Sequence, residues 1–557
     1  MSDNNLRVFG IDLGTTYSAV AYVNEAGQPA VCRNVDSLET TPSVVFFENE
    51  SNVVVGSVAK NSAISYPDRV VSLIKRQMGT EATFEFDGVT HTPESISALI
   101  LKQLARDAAE HTNGEVSKVV ITVPAYFGML ERDATKNAGK IAGLDVIGIA
   151  PEPVAAALHY EATTEAENKT ILVYDLGGGT FDTTVIRVAK DEIIVVCTDG
   201  DDHLGGADWD ARLKDLLLTK FREQVPPGTD FEDDEEFLQS VAIVSEDTKK
   251  QLSKVESRPV PLRGAGAAAR VDVSRTEFEA VTDDLLDKTI EIVKRTLVTL
   301  EEKSSGATID EVLLVGGSTK MPAVAQRLRA EFGWEPKLHD PELAVAKGVA
   351  LYALGRVVHR ELETARQQAD SEPDAQSRIA EAVDAVAART GIATATLESL
   401  AAKETRNVLP KAFGVKLVDT RDPDWQSKPP QYYVEHLVLA NDTLPTGVRE
   451  LSAATIADGQ REVLIELCEQ SGVVAGPDLA ENKELNQGHG SIRCPPGLPA
   501  GSPVDIGLEV DAEGLLILNA TERSTGEELK IEVRVSVLST EQINEATKIV
   551  SGITVSS

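Results

Sequence analysis

Two segments of the chain combine an apolar strand, an Asp-Leu-Gly turn and a second apolar strand. The first runs from Val8 to Ser18, and the second begins at Leu172 and passes through Asp182. Glycines in such a turn let backbone N–H groups approach a phosphate, and the hydroxyl and carboxylate side chains can hold phosphate oxygens and a hydrated cation. One hairpin of this kind is a weak signal. Two in one chain indicate a duplicated fold that closes on a nucleotide from both sides.

The polar residues of these turns are the types that phosphoryl transfer needs. The reaction requires the γ-phosphate to be positioned, the charge on its oxygens to be neutralised and a water molecule to be aimed in line. Asp12, Asp175 and Asp182 can bind a magnesium ion, mainly through its water molecules. The residues expected to contact phosphate through backbone N–H or hydroxyl groups are Gly14, Thr15, Thr16, Tyr17, Gly177, Gly178, Gly179 and Thr180.

A third glycine-rich segment supports the nucleotide interpretation. It follows an apolar run at 311–315 and contributes Gly316, Gly317, Ser318 and Lys320. Taken alone, each Asp-Leu-Gly is also compatible with an ordinary turn at the end of a strand, but the three segments together weaken that alternative. The chain has no Gly-x-x-x-x-Gly-Lys-Ser/Thr motif, so a P-loop enzyme is excluded.

Hydrophobic patterns place these turns in a layered α/β fold. In the first half, strands are predicted at 7–13, 18–23, 29–33 and 118–124, with a helix at 131–142. The second half repeats this plan, with strands at 171–176, 181–188, 192–198 and 311–317 and helices at 207–221, 235–252, 275–303 and 323–332. Strands flanked by helices imply two similar lobes.

Length and composition limit the class of protein. A chain of 557 residues with 42% hydrophobic and 26% charged residues is typical of a globular protein with several domains. The net charge of −35 argues against a nucleic-acid or membrane partner. The four cysteines are far apart and do not have the spacing of a zinc site. Because no signal peptide or membrane span is evident, we expect a cytoplasmic protein.

The pattern changes near residue 357. Residues 357–405 are rich in Ala, Glu and Arg and predict a helical connector, although a partly disordered charged linker remains an alternative. Short alternating runs at 406–538 predict an all-β sandwich, and 539–557 a short helical tail at 540–550. We therefore predict a multidomain protein in which a two-lobed α/β domain covers residues 1–356.

Further motifs make the chain resemble the 70-kDa heat-shock family, the DnaK-type chaperones. The resemblance runs from about Arg7 to Gly355 and resumes from about Phe413 to Val537. Besides the turns, the motifs that carry it begin at Ser72, Ile121, Glu152, His203, Leu313, Asn441, Gly497 and Val510. The resemblance implies an actin-like ATPase domain, bound ATP or ADP with Mg²⁺, and slow hydrolysis of ATP to ADP and phosphate. Potassium is a candidate second cation.

The resemblance also implies roles for single residues. Lys75 is similar to the family's γ-phosphate lysine, and Glu152 to a carboxylate that helps to hold hydrated magnesium. With Asp175 and Thr180 they form the expected catalytic set. Pro124 and Arg132 resemble an allosteric relay. The remaining nucleotide contacts implied by the family are Gly205, Gly206, Glu246, Lys249 and Ser253, although Glu246 and Lys249 could instead form a surface ion pair.

The C-terminal part resembles the family's peptide-binding sandwich. Such a module binds an extended apolar segment through main-chain hydrogen bonds and a small pocket. The pocket candidates are Val415, Val418, Ala454 and Val463, and the alternative is that they are core-facing strand residues. Unfolded or extended polypeptides are therefore the expected partners, and a nucleotide-exchange factor is a further candidate.

Three departures from the family pattern affect this expectation. Too few residues follow Val537 for the family's helical lid, so the chain reads as a lidless variant. The helical connector replaces the family's short linker, and only a remnant is recognisable near Val408. The family's positions for J-domain cochaperones correspond to Gly148 and Pro151, which argues against such a partner.

These features favour an ATP-dependent, chaperone-like protein that acts in protein folding and the stress response. The alternative is a nucleotide-gated scaffold that binds one dedicated partner without general folding activity. A sugar kinase or a cytoskeletal filament protein would share the two-lobed ATPase, but it would not explain the C-terminal motifs.

Overall fold

The computed structural model describes residues 6–164, 168–512, 514–524, 526–533 and 536–557. Glu513 of the motif that begins at Val510, and residues 534 and 535 near the end of the predicted sandwich, lie outside the described residues. Within the described residues, no helix combines the length and apolar character needed to cross a membrane.

Two sheets with the same strand order form the N-terminal part. The first contains, in spatial order, Asp145–Pro151, Lys118–Val123, Phe9–Asp12, Tyr17–Val23 and Pro29–Val31. The second contains Lys337–Leu338, Glu311–Val315, Lys169–Leu176, Phe181–Val188, Glu192–Asp201 and Glu404–Arg406. In each sheet the strand before the Asp-Leu-Gly turn is antiparallel to the strand after it and parallel to its other neighbour. The predicted duplication is therefore present in the topology.

Two helices, Glu152–Thr164 and Ala344–Gln367, lie between the sheets. Side chains from both sheets, among them Val120 and Ile171, pack with these helices in one hydrophobic cluster. The helices are very close at Gly348, where an added Cβ would lie 1.7 Å from the carbonyl oxygen of Ala155. Only glycine fits at this crossing, which joins the two halves.

Further helices cover the outer face of each sheet and complete two lobes. The first lobe is the first sheet with helices Pro93–Thr112 and Met129–Ile141. The second lobe is the second sheet with helices Gly206–Gln224, Glu235–Leu252, Arg275–Lys303 and Pro322–Phe332, and a hairpin of strands Ser257–Gly264 and Ala267–Ser274.

The connector is helical and packed rather than extended. Helix Ala344–Gln367 runs through residue 357, and helices Glu372–Thr390 and Thr394–Ala402 follow. These helices share a small core that includes Val358, Val386 and Leu397. Because one helix crosses the expected boundary, the domain division at 356/357 stays a prediction.

Eight strands after the connector form two four-stranded antiparallel sheets, here called the paired sheets. One contains Tyr432–Val438, Phe413–Val418, Glu462–Gln470 and Asn482–Arg493, and the other contains Arg449–Ala454, Pro503–Val510, Leu516–Glu522 and Glu527–Val533. Their inner faces share one cluster, with Phe413 and Ile506 among its buried residues.

The C-terminal segment, residues 536–557, returns to the first lobe. The predicted tail helix is present at Thr540–Gly552, and a strand at Thr554–Ser556 follows it. This strand joins a small sheet formed by Asn52–Val55, Val45–Asn49 and Val70–Val71.

Candidate functional site

The two Asp-Leu-Gly turns touch each other across the space between the lobes. A Cβ atom added at Gly178 would lie 2.0 Å from the hydroxyl oxygen of Thr16, and one at Gly179 would lie 2.2 Å from Cγ2 of Thr15. Carbon atoms do not approach other heavy atoms this closely without displacement. Both positions therefore require glycine.

Hydrogen bonds fix the shape of both turns. In the first turn, Ser43 Oγ donates to the carbonyl oxygen of Gly14 (2.7 Å). In the second, the carbonyl oxygen of Gly177 accepts from Ser318 Oγ (2.9 Å) and from the backbone N–H of Gly206 (2.9 Å). The third glycine-rich segment and the start of helix Gly206–Gln224 are thereby held against the second turn.

A cavity of about 380 Å³ opens between the turns. The predicted site residues that line it are Asp12, Gly14, Thr15, Thr16, Tyr17, Lys75, Glu152, Asp175, Gly177, Gly178, Thr180, Gly206, Glu246, Lys249, Ser253, Gly316, Gly317, Ser318 and Lys320. Asp182, Gly179 and Gly205 lie behind this surface. The oxygen Oδ1 of Asp182 accepts a bond from the backbone N–H of Tyr126 (2.9 Å), and Gly205 packs directly against Gly179.

Four carboxylates lie around the ammonium group of Lys75 near the base of the cavity: Glu152, Asp175 and Asp182 are buried, and Asp12 is partly buried. Lys75 Nζ donates to Glu152 Oε1 at 2.6 Å, and both side chains are nearly inaccessible. Burial, with the nearby charge of Glu152, raises the pKa of Asp12 to about 7 and that of Asp182 to about 8. The same causes raise the pKa of Asp175 well above its usual value.

This donor set fits a hydrated magnesium ion. Carboxylate oxygens are the ligands that Mg²⁺ takes in phosphate-binding sites, and it keeps several of its waters there. Lys75 alone cannot balance the charges of Asp12, Glu152, Asp175 and Asp182, and a divalent cation would supply the missing positive charge.

An ion-pair cluster spans the upper side of the cavity. Glu246 Oε1 accepts from Tyr17 Oη (2.8 Å) and pairs with Lys250 Nζ (2.6 Å), while Oε2 pairs with Lys60 of the first lobe. Burial opposes ionisation of Glu246, but the two lysines lower its pKa to about 2. Lys249 Nζ instead contacts Asp210 Oδ2 (2.7 Å) and the carbonyl oxygen of Gly206 (2.7 Å). Glu246 and Lys249 therefore do not form the surface pair that the sequence left open.

Several residues of the site were not anticipated. Arg76 donates from Nε to the carbonyl oxygen of Gly179 (2.9 Å), and its guanidinium group pairs with Asp208 across the lobes. Its position directly after Lys75 was the feature of the sequence that could have identified Arg76 as a site residue. Lys60 had no such signal, because its carboxylate partner, Glu246, lies in a helix almost 200 residues later in the chain.

Of the proposed relay residues, Pro124 lies in the loop before helix Met129–Ile141 and Arg132 lies in the first turn of that helix. Phe127 N–H donates to the carbonyl oxygen of Pro124 (3.2 Å), and Arg132 donates to the carbonyl oxygens of Phe127 (2.9 Å) and Ala125 (3.2 Å). Burial lowers the pKa of Arg132 to about 10. Arg132 thus fixes the loop whose Tyr126 N–H binds Asp182.

The four peptide-pocket candidates are not equivalent. Val415 is only 1% exposed and packs in the core between the paired sheets, because it shares the inward face of its strand with Phe413. The structure therefore favours the alternative that Val415 is a core-facing strand residue. Val418 and Val463 are partly exposed, and Ala454 is exposed on the other sheet. These three stay predictions.

A model of a known protein family matches the chain. The family model described as Hsp70 protein matches residues 8–85 and 81–363, which is more than half of the chain. The matched region contains both turns, the third glycine-rich segment and every residue that lines the cavity. Members of this family are ATPases with an actin-like fold. The chain therefore belongs to the Hsp70 family.

Proposed function

We propose that this protein is an ATP-dependent, chaperone-like ATPase that couples its nucleotide state to the binding of apolar peptide segments by the paired sheets. The observation that carries the proposal is the contact of two glycine turns from different lobes above a buried lysine and four carboxylates. An ATP phosphate chain seated between these turns would hold the lobes in one relative orientation, and its loss would release them.

The residues of this chain would divide the work of hydrolysis. The backbone N–H of Gly178 and the hydroxyl of Thr180 would bind phosphate oxygens, while the Gly177 N–H holds the turn by donating to the Thr180 carbonyl oxygen (3.1 Å). Asp12, Asp175, Asp182 and Glu152 would hold hydrated magnesium, which supplies positive charge to the phosphates when it is bound. Lys75, at present paired with Glu152, would turn towards the γ-phosphate, and Asp175 would orient the attacking water.

A short path leads from this site to the paired sheets. Asp182 binds the Tyr126 N–H in the loop before helix Met129–Ile141, and the first amide of that helix donates to Glu469 Oε1 (3.2 Å) on strand Glu462–Gln470. A shift of the loop at the carboxylates would therefore move the contact with the paired sheets. This path supports coupling between nucleotide and peptide binding.

The test is fluorescence anisotropy of a labelled apolar peptide with the full chain in ATP and in ADP. We expect the two affinities to differ by roughly 5- to 100-fold. Lys75→Ala should hold the protein in the ATP-bound affinity state, because it binds ATP without hydrolysing it. Lys136→Ala, an exposed lysine of the first lobe, is the matched control. Equal affinities in ATP and ADP would contradict the coupling.

A scaffold for one dedicated partner is the second candidate. The burial of Val415 favours it, because it removes one side chain from the expected pocket. Peptide arrays separate the two functions. Binding to many unrelated apolar peptides supports the chaperone, whereas binding to none of them, together with intact ATP hydrolysis, supports the scaffold.

A further inference from the structure

The C-terminal segment is built into the first lobe. Strand Thr554–Ser556 pairs in parallel with Asn52–Val55, and the Thr554 N–H donates to the carbonyl oxygen of Ser51 (2.8 Å). The side chains of Val550, Ile553 and Val555 are buried in the same hydrophobic cluster as the first sheet. The segment is therefore part of the core of a lobe that begins some 500 residues earlier in the chain.

Two basic side chains of helix Pro93–Thr112 secure this segment. Lys102 Nζ donates to the carbonyl oxygens of Val550 (2.9 Å) and Ile553 (2.8 Å), which end helix Thr540–Gly552. Arg106 donates from Nη1 to the carbonyl oxygen of Val555 (2.9 Å). The Val550 carbonyl oxygen also accepts from the Ile553 N–H (3.3 Å), so Lys102 adds a second bond there and ties the end of the helix to the first lobe.

The other end of the paired sheets is attached to the second lobe. Strand Glu404–Arg406 pairs in parallel with residues 192–194 of the second sheet. Beyond it, Asn441 Oδ1 accepts from the Thr198 N–H (2.8 Å), and Lys303 Nζ contacts the Asn441 carbonyl oxygen. The paired sheets thus have one built-in anchor strand in each lobe.

We propose that the C-terminal segment is a clasp that keeps the paired sheets docked on the first lobe in every nucleotide state. With both ends anchored, undocking requires a strand and a helix to leave a hydrophobic core, and the local concentration of the segment at its groove stays high. Rotation of the lobes would then move the paired sheets through the two anchor strands. The sheets would not be released from the first lobe. The clasp goes beyond the proposed function, because it holds whether or not ATP is hydrolysed.

Hydrogen exchange of the full chain tests the clasp, measured without nucleotide, with ADP and with a non-hydrolysable ATP analogue. The reporters are the peptides that contain the amides of Met129 and Thr198, which bind Glu469 and Asn441 across the interface. We expect both amides to stay protected under all three conditions. Loss of Met129 protection in ADP, while 553–556 stays protected, would overturn the proposal.

A pair of charge variants on one strand isolates the clasp. Val555→Asp places a carboxylate in the core, and Thr554→Asp places the same charge on the exposed side. We expect Val555→Asp to speed exchange at Met129 by at least about tenfold, which corresponds to ~1.4 kcal/mol, and Thr554→Asp to leave it unchanged. Equal behaviour of the two variants would contradict the clasp.

A second variant decides the question if Val555→Asp does not fold. Lys102→Ala with Arg106→Ala removes the three bonds to the carbonyl oxygens without placing a charge in the core. This double variant should speed hydrogen exchange at the amides of residues 553–556 and of Met129, while the amides of residues 9–12 stay protected. Faster exchange at 553–556 with unchanged exchange at Met129 would overturn the proposal. The measurement without nucleotide does not depend on ATP binding or hydrolysis. Its failure would therefore count against the clasp and not against the ATPase proposal.

Discussion

The nucleotide cavity and the interface beneath the paired sheets both bury more carboxylates than ammonium groups. In the cavity, Lys75 faces four carboxylates. In the interface, Lys411 Nζ lies 3.7 Å from Glu131 Oε1, and Glu469 is fully buried beside them. The excess negative charge in the cavity is distributed around open space that a phosphate chain and a cation can fill. The interface is closely packed, so a proton is what can balance its excess charge.

This difference shows how similar electrostatics can serve binding in one place and docking in another. Burial and the Glu131 carboxylate raise the pKa of Glu469 to about 7, and Lys411 opposes this shift. A raised pKa at a site with room for a ligand indicates where the ligand supplies charge. A raised pKa in a packed interface indicates a contact that depends on protonation.

The largest effect is expected from Lys75, the lysine at the base of the cavity. Lys75→Ala should lower the rate of ATP hydrolysis by roughly 100- to 1,000-fold, because it removes the buried lysine that contacts Glu152. Single-turnover phosphate release measures the rate, and the nucleotide affinity should change much less. Lys136→Ala should match the wild type. A hydrolysis rate within a factor of two of wild type would contradict the assigned role.

The contact between the turns gives the next largest effect. Gly178→Val would force the turns apart, because even a Cβ would lie 2.0 Å from Thr16 Oγ1. We expect ATP affinity to fall by about 100-fold, or ~2.7 kcal/mol. Gly148→Ala is the control, since its Cβ would make an ordinary contact of 3.7 Å with Val120. Unchanged ATP affinity in Gly178→Val would show that the turns do not enclose the phosphates.

The interface should respond to pH through Glu469. Its pKa is raised from 4.5 to about 7, so the folded protein binds this proton more tightly than the unfolded chain. The stabilisation is complete below about pH 4.5 and is lost as the pH rises through 7, by about 3 kcal/mol. The charged groups that face Glu469 are Glu131, Lys411 and Lys483.

Thermal unfolding between pH 5 and pH 8 measures this dependence. Glu469→Gln keeps an acceptor for the Met129 N–H and should flatten the decrease in Tm over this range. Glu462→Gln changes an exposed position on the same strand and should show the same decrease in Tm as the wild type. Identical profiles for wild type and Glu469→Gln would show that this carboxyl does not titrate in the interface.

The smallest effect is expected at the ion pair over the cavity. Lys60→Ala removes a cross-lobe partner of Glu246 but leaves Lys250 in place. Because Lys60 is partly exposed, we expect ADP release to accelerate by roughly fivefold or less. Stopped-flow release of a fluorescent ADP analogue measures the rate. Slower release would show that the pair does not hold the lobes together.

The sequence predicted the cavity more completely than the interface. The turns, the third glycine-rich segment and Lys75 lie in short local motifs whose residue types indicate their chemistry. Helices Glu235–Leu252 and Arg275–Lys303 match their predicted ranges because capping residues Asp234 and Ser274 mark where they begin.

The rest could not be predicted, because it depends on contacts between distant parts of the chain. Strands Arg449–Ala454 and Asn482–Arg493 were missed, since the first begins with charged residues and the second is interrupted by glycine. Strand Thr554–Ser556 is too short to give a periodic signal, and its partner is Asn52–Val55. Nothing local marks Glu469 as buried, because its environment is provided by the first lobe.

Calorimetric titration of ATP into the full chain, with Mg²⁺ and then with the metal chelated, tests the central claim most directly. The carboxylates near the base of the cavity would need a divalent cation before the cavity could accept a phosphate chain. We predict binding at a single site that weakens by at least about tenfold, ~1.4 kcal/mol, without Mg²⁺. The absence of ATP binding, or binding that is equally strong without Mg²⁺, would contradict this account.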